Sequence, residues 1–130
     1  MKVLSIKEPY ATLLMKQIKH IETRSWKTNY RGEIYIHVSG KTLEKPAKQN
    51  KKIQELIKDI PMNYGYIICK GNLVDCIYMD KEYLKKIKKD KIEYLLGDYQ
   101  EGRYAWIIND IKPIKPIKAK GQLGIWNYKI

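Results

Sequence analysis

Hydrophobic and polar positions alternate in several parts of the chain, and this period of two is typical of β-strands. The clearest case is residues 33–38, where Ile34, Ile36 and Val38 alternate with polar or aromatic neighbours. We predict further strands over residues 3–6, 21–26 and 103–111, and a long one over 65–79. A final short element is expected at residues 126–130.

Three other segments have apolar residues at helical spacing. Pro9 suits the first position of a helix, which we expect to end near residues 17–19. A second, lysine-rich helix is predicted over residues 45–59, because Pro61 must stop it. A third is expected to begin after Asp80, a favourable N-cap residue, and to continue to residue 95 after an irregular step.

Glycine and proline mark the places where the predicted strands bend or end. Gly71 lies inside the longest strand, which indicates a bulge or a barrel corner. Pro113 and Pro116 exclude helix and central strand, so residues 112–118 should form an edge or a connection. Together the elements predict a mainly β protein with flanking helices. We expect a small mixed-sheet barrel of five or six strands with two or three helices at its rim.

Composition limits the kind of protein this can be. The 130 residues suit one domain, and 26 Lys and Arg against 14 Asp and Glu give a formal net charge of +12. Such an excess suits a polyanionic partner, although a general preference for lysine would produce the same charge. No apolar run approaches the roughly 20 residues of a membrane span, and no signal peptide is apparent. We therefore expect a cytoplasmic monomer with reduced thiols at Cys69 and Cys76.

Cations and aromatic rings are interleaved between residues 5 and 40, at the predicted turns. A groove for an anionic ligand with planar rings needs both, because Arg and Lys contact phosphate while rings stack on bases. The alternative is that the rings fill the core and the cations face water. The candidate binding residues are Lys7, Tyr10, Lys19, Glu22, Arg24, Trp26, Arg31 and Lys41.

Other kinds of site find no support in the sequence. His20 and His37 have no accompanying ligands at zinc spacing, so we predict no metal. We identify no Ser-His-Asp or Cys-His arrangement, phosphate-binding loop or dinucleotide fingerprint, and therefore expect no cofactor.

Two groups of residues resemble a known family. One is Ser5-Ile6-Lys7-Glu8-Pro9-Tyr10-Ala11 with the later Arg24-Ser25-Trp26 and Arg31-Gly32; the other is the pair Gly102-Arg103-Tyr104-Ala105-Trp106 and Gly121-Gln122-Leu123-Gly124-Ile125-Trp126. They resemble the activating-signal-cointegrator homology (ASCH) domain, a branch of the PUA-like superfamily, over nearly the whole chain. The family signature Gly-x-Lys-x-x-Glu-x-Arg is matched by Lys19, Glu22 and Arg24, whereas Gln17 replaces the glycine.

This resemblance implies a single PUA-like domain over residues 1–130, with a cleft beside the first helix that binds RNA or single-stranded DNA. Some family members are enzymes, among them an amidohydrolase acting on acetylated cytidine, and nuclease activity is proposed for others. The alternative is therefore a hydrolase of a modified nucleoside or RNA, with Lys19 and Glu22 as working groups. Because Glu22 replaces the threonine of the amidohydrolase branch, we expect binding rather than catalysis. A protein-interaction module is a third possibility.

Overall fold

The computed structural model describes residues 1–129. It contains six strands and five short helices. The strands are β1 (Lys2–Lys7), β2 (Ile21–Arg24), β3 (Gly32–Ser39), β4 (Tyr66–Tyr78), β5 (Tyr104–Lys118) and β6 (Ile125–Asn127). The helices are α1 (Tyr10–Met15), α2 (Lys45–Lys48), α3 (Lys51–Ile57), α4 (Lys81–Ile87) and α5 (Lys91–Leu95).

All six strands form one curled sheet in the order β2-β5-β4-β3-β1-β6, which makes a half-barrel. β1 and β3 are parallel, and the other neighbouring strands are antiparallel. The sheet is therefore mixed, and the predicted mainly β class with five or six strands is confirmed. No helix within residues 1–129 is both long and apolar enough to cross a membrane.

The helix count was wrong, because each of the two later predicted helices is divided in two. Asn50 begins α3 by accepting a hydrogen bond from the Ile53 amide at 3.0 Å. Asp90 begins α5 in the same way. An N-cap side chain competes with the continuing helix for backbone donors, so each of these residues starts a new helix. Asp80 caps α4 at 2.8 Å from the Tyr83 amide, as predicted.

The end of α1 explains how the chain manages without the signature glycine. The Ile18 amide donates to the Leu13 carbonyl and the Gln17 amide to the Leu14 carbonyl, each at 3.0 Å. These two bonds define a Schellman motif, in which the residue after the C-cap is left-handed. Gln17 takes that conformation, with φ of 60°. The turn is therefore kept, and the strain falls on a residue that has a Cβ atom.

The main core lies between α1 and one face of the sheet. Apolar side chains of β1 and β3 pack there against apolar side chains of α1 and β5. The buried residues of this core include Leu4, Ile6, Leu14, Ile34, Ile36, Val38 and Trp106. Since side chains alternate across a strand, the other face of β1 is left to Val3, Ser5 and Lys7. Ser5 and Lys7, which alternate with the core residues of β1, thus lie on the other face of the strand and line the cleft described below.

The long strands β4 and β5 pair irregularly. Their register shifts between Lys70 and Asn72, and a Cβ atom on Gly71 would lie 2.9 Å from the Asn109 carbonyl oxygen. The pairing is thus irregular at Gly71, where a bulge or a barrel corner was expected, and the extra residue lies on β5 opposite the glycine. β5 continues through both prolines, but β2 pairs only with its first residues, so 112–118 pair with β4 alone. The final predicted element, 126–130, includes Ile130, which lies outside the described residues.

Candidate ligand-binding cleft

A cleft of about 1000 Å³ opens between one edge of the sheet and the helices. Its walls come from segments distant in sequence, namely the ends of β1, β2 and β3, the start of α1 and the turns beside α2 and α5. The loop before β6, residues 121–124, closes the remaining side. A concave surface of this size that joins apolar and charged groups is typical of a ligand site.

Glu22 and Arg24 form the best-ordered polar group in the cleft. They are two apart on β2, so their side chains share one face of the strand. Nε and Nη2 of Arg24 both lie 3.0 Å from Oε2 of Glu22. Nη2 also donates to the Ser5 carbonyl at 2.8 Å. The guanidinium is thereby held in one orientation across the gap between β2 and β1.

Tyr10 and Glu44 form a second polar wall. The Tyr10 hydroxyl donates to Oε1 of Glu44 at 2.6 Å. Burial, and then this carboxylate, raise the pKa of Tyr10 above its ordinary value. The phenol therefore stays protonated and serves as a donor to Glu44 rather than as an acid.

Lys19 lies beneath the cleft rather than in it. Its side chain is only 1% exposed, and Nζ donates to the Leu96 carbonyl at 2.5 Å. The ammonium also stands 5.5 Å from the centroid of the Tyr10 ring. Burial lowers the pKa of Lys19, and the nearby carboxylates of Glu22 and Glu93 oppose that shift. Lys19 thus supports Tyr10 and Leu96, two residues that line the cleft.

Trp26 presents an aromatic surface at the cleft wall. It is 38% exposed, and its ring meets the buried Trp106 ring edge to face, with centroids 4.7 Å apart. Trp106 also donates from Nε1 to the Trp26 carbonyl at 3.3 Å. In an edge-to-face pair at most one face of either ring is covered, so Trp106 leaves at least one face of Trp26 open.

The structure brings five of the eight candidate residues to the cleft. These five are Lys7, Tyr10, Glu22, Arg24 and Trp26. Arg31 does not line it; its guanidinium donates to the carbonyls of Thr28 and Tyr30 at 3.0 and 2.8 Å. Lys41 is exposed and follows the lining residue Gly40, at the rim.

The charges inside the cleft balance, although the whole chain is strongly basic. Three cations line it, and three carboxylates oppose them: Lys7, Arg24 and Arg103 against Glu22, Glu44 and Asp98. Six exposed lysines instead flank lining residues in the sequence, and these are Lys27, Lys41, Lys45, Lys51, Lys52 and Lys120. The residues that line the cleft are therefore balanced in charge, whereas the lysines that adjoin them in the sequence add positive charge outside it.

Some lining residues were not among the candidates. Ser5 and His37 face each other across parallel β1 and β3, with Oγ and Nδ1 3.1 Å apart. The alternation that marks both strands was visible, but the parallel pairing that joins them was not. Within residues 1–129 no three His, Cys, Asp or Glu side chains are grouped to hold a metal ion.

Comparison with known proteins identifies the family. The model of the family described as the ASCH domain matches residues 4–118. The chain belongs to the ASCH family. Activating signal cointegrator 1 from mouse and from human are each 35% identical to this ASCH domain over 86 residues, which cover 57% of the chain. The chain spans 14% of the length of these curated relatives.

Solved structures share the fold of this ASCH domain. The crystal structure of ASCH from Zymomonas mobilis superposes with a TM-score of 0.56 at 19% identity, covering 90% of this chain and 72% of that one. A point mutant of the same protein gives a TM-score of 0.54 at 18% identity, covering 90% of this chain and 74% of that one. The ASCH and PUA-like fold expected from the sequence is confirmed.

Proposed function

We propose that this ASCH domain binds single-stranded nucleic acid, with RNA as the first candidate, in the cleft beside α1. The observation that carries the proposal is the arrangement of Trp26 and Arg24 in one cleft. The Trp26 side chain is partly exposed in the cleft, and the guanidinium is held by Glu22 and by the Ser5 carbonyl. A base that stacks on the ring meets a fixed set of donors and acceptors beside it.

The distribution of charge suits a ligand whose neutral part lies inside the cleft and whose charged parts lie outside it. The balanced interior suits a neutral base, because a run of phosphates would meet three carboxylates there. The exposed lysines that adjoin lining residues in the sequence suit the phosphates on either side of that base. Duplex nucleic acid has its bases stacked inside the helix, so this division favours a single strand.

Lys7 has a particular place in this arrangement. It is exposed, lines the cleft and forms no ion pair within residues 1–129. Arg24 and Arg103, by contrast, pair with Glu22 and Asp98. Lys7 is therefore the lining cation that is available to a phosphate next to the bound base.

A salt titration tests the proposal. Binding of a fluorescently labelled single-stranded RNA is measured over a range of salt concentrations for the wild type, Lys7→Ala and Lys118→Ala. Lys118 is an exposed lysine on β5 outside the cleft and serves as the control. Loss of one phosphate contact should make the log–log slope shallower by about 0.7 for Lys7→Ala only.

Three outcomes would contradict the proposal. They are no binding at low salt, equal effects of Lys7→Ala and Lys118→Ala, and unchanged binding by Arg24→Ala. Single-stranded DNA and duplex RNA are measured in parallel, since tighter binding of the duplex would place the contact outside the cleft.

The hydrolase alternative stays a prediction. The lowered pKa of Lys19 suits a general acid or base, but its Nζ is bonded to the Leu96 carbonyl under the cleft floor. Release of cytidine from acetylated cytidine, abolished by Lys19→Ala, would support this alternative over binding alone. The cytoplasmic location and the monomeric state also stay predictions.

A further inference from the structure

Ser5 and His37 form a hydrogen-bonded pair in the wall of the cleft. They are register partners on parallel β1 and β3, and Ser5 Oγ lies 3.1 Å from His37 Nδ1. Both residues line the cleft, and Arg24 donates to the carbonyl of the same serine. The proposed nucleic-acid contact does not use this pair.

The neighbouring hydrogen bonds determine which nitrogen of His37 carries the proton and where the Ser5 hydroxyl donates. His37 Nε2 lies 2.7 Å from the Ala119 carbonyl oxygen, which can only accept, so a neutral imidazole carries its proton on Nε2. Its Nδ1 is then an acceptor. Trp126 Nε1 donates to Ser5 Oγ at 3.1 Å. The Ser5 hydroxyl proton is thus directed to His37 Nδ1.

Gly121 keeps this pair free of a covering side chain. A Cβ atom at Gly121 would lie 2.9 Å from His37 Cε1 and 3.1 Å from Ser5 Oγ. Real Cβ atoms essentially never come as close as the first of these distances, so a side chain here would press on the imidazole. Gly121 itself lines the cleft, and its backbone packs closely against the pair with no side chain above it.

We propose that Ser5 is a nucleophile activated by His37, and that the cleft hydrolyses carboxylic esters carried on an aromatic or heterocyclic ring. The Ala119 carbonyl orients the imidazole in place of the usual carboxylate. Trp26, in the same cleft, supplies the surface on which the ring of the ester stacks. This activity goes beyond nucleic-acid binding and needs no nucleotide.

The reaction has two balanced steps. Ser5 Oγ bonds to the carbonyl carbon while its proton moves to His37 Nδ1; the ester C–O bond breaks, and the departing alcohol takes that proton. Water then attacks the acyl-Ser5 ester and gives a proton to Nδ1. As the acid leaves, that proton returns to Ser5 Oγ. The Ala119 carbonyl stabilises the imidazolium formed in each step.

The charge of the cleft favours acyl transfer over phosphoryl transfer. Attack on a phosphodiester concentrates additional negative charge on the phosphoryl oxygens, which several unpaired cations must stabilise. Here Arg24 and Arg103 are paired with Glu22 and Asp98, which leaves Lys7 as the one lining cation without an ion pair within residues 1–129. Attack on a neutral ester creates a single oxyanion, for which the guanidinium anchored at Ser5 is one positive group near the reacting residue.

Covalent labelling tests the nucleophile directly. The whole chain is treated with a fluorophosphonate, and the modified residue is identified by peptide mass spectrometry; hydrolysis of p-nitrophenyl acetate is followed in parallel. Ser5 should be modified and Ser5→Ala should lose both signals, whereas Ser25 and Ser39 should stay unmodified in the wild type. Both control serines line the same cleft. No adduct at Ser5, or equal labelling of Ser25 or Ser39, would overturn the proposal.

To test whether His37 acts as the base for Ser5, the experiment must measure the reactivity of Ser5 separately from the stability of the fold. His37→Gln should slow labelling of Ser5 by about 10²-fold while the chain stays folded, as judged by its thermal transition. If that variant does not fold, the alkylation rate of Ser5→Cys decides. Its thiol should react about tenfold faster than that of Ser39→Cys, because a neighbouring imidazole promotes the thiolate. Equal rates would reject His37 as the base.

Discussion

Arg24 directs two nitrogen atoms to a single oxygen of Glu22, with Nε and Nη2 both 3.0 Å from Oε2. Glu22 is 7% exposed, so its carboxylate has little water to replace this partner. The pair also anchors β2 to β1, because the same Nη2 donates to the Ser5 carbonyl. It therefore contributes to folding as well as to the shape of the cleft.

Removing only one member of this pair should cost more than removing both. Arg24→Met leaves the Glu22 carboxylate without its partner, and we expect the free energy of unfolding to fall by about 1–3 kcal/mol. In Arg24→Met/Glu22→Gln the stranded charge is absent, so the loss should be smaller than that of Arg24→Met alone. Urea denaturation of the wild type, both single variants and the double variant gives the coupling energy. Additive losses would contradict this interpretation.

The Trp26 ring should contribute to affinity without changing the dependence on salt. Trp26→Ala removes the stacking surface, and we expect nucleic-acid binding to weaken by about 1–3 kcal/mol, or roughly 5- to 150-fold. The salt slope should stay the same, since no phosphate contact is lost. Tyr78→Ala is the control, because Tyr78 is 51% exposed but lies outside the cleft. The stacking role fails if both variants bind equally well.

Position 17 should tolerate glycine better than alanine. Both substitutions lose the bond from Gln17 Nε2 to the Ile111 carbonyl at 3.2 Å, but only glycine adopts a positive φ without strain. We expect Gln17→Gly to be more stable than Gln17→Ala by about 1 kcal/mol in urea denaturation. Alanine equal to or better than glycine would show that the left-handed turn carries no strain.

Stability should depend on Lys19 in a way that changes with pH. Burial lowers the folded-state pKa of Lys19 below its ordinary value of 10.5. Between the lowered pKa and 10.5 the unfolded chain binds more protons than the folded chain, so stability gains as pH rises. In this pH window the free energy of unfolding of the wild type, measured relative to that of Lys19→Met, should therefore rise by at most about 1.4 kcal/mol per pH unit.

Urea denaturation at several pH values from neutral to mildly alkaline measures this gain. Lys16→Met removes an exposed ammonium at the end of α1 and controls for the loss of one positive charge. A constant difference between the wild type and Lys19→Met across the range would mean that burial does not perturb Lys19.

Features that depend on neighbours along the chain were predictable from the amino-acid sequence. Alternation predicted the strands, Asp80 predicted the start of a helix, and Gly71 predicted the place where strand pairing becomes irregular. The spacing of Glu22 and Arg24 on one strand also placed both on one face. Each of these follows from local backbone geometry, in which side-chain direction repeats with a fixed period.

Which of these residues meet, and which reach the surface, depends instead on packing between segments that are distant in the chain. Lys19, Glu22 and Arg24 belong to one signature, yet Lys19 is buried against Leu96, 77 residues away in the chain. Ser5 and His37 meet because β1 and β3 are parallel neighbours, and an antiparallel pairing would have joined other residues. The balance of charge in the cleft likewise depends on segments brought together by folding. Strand order and burial are set by packing between distant segments, and no local period encodes that packing.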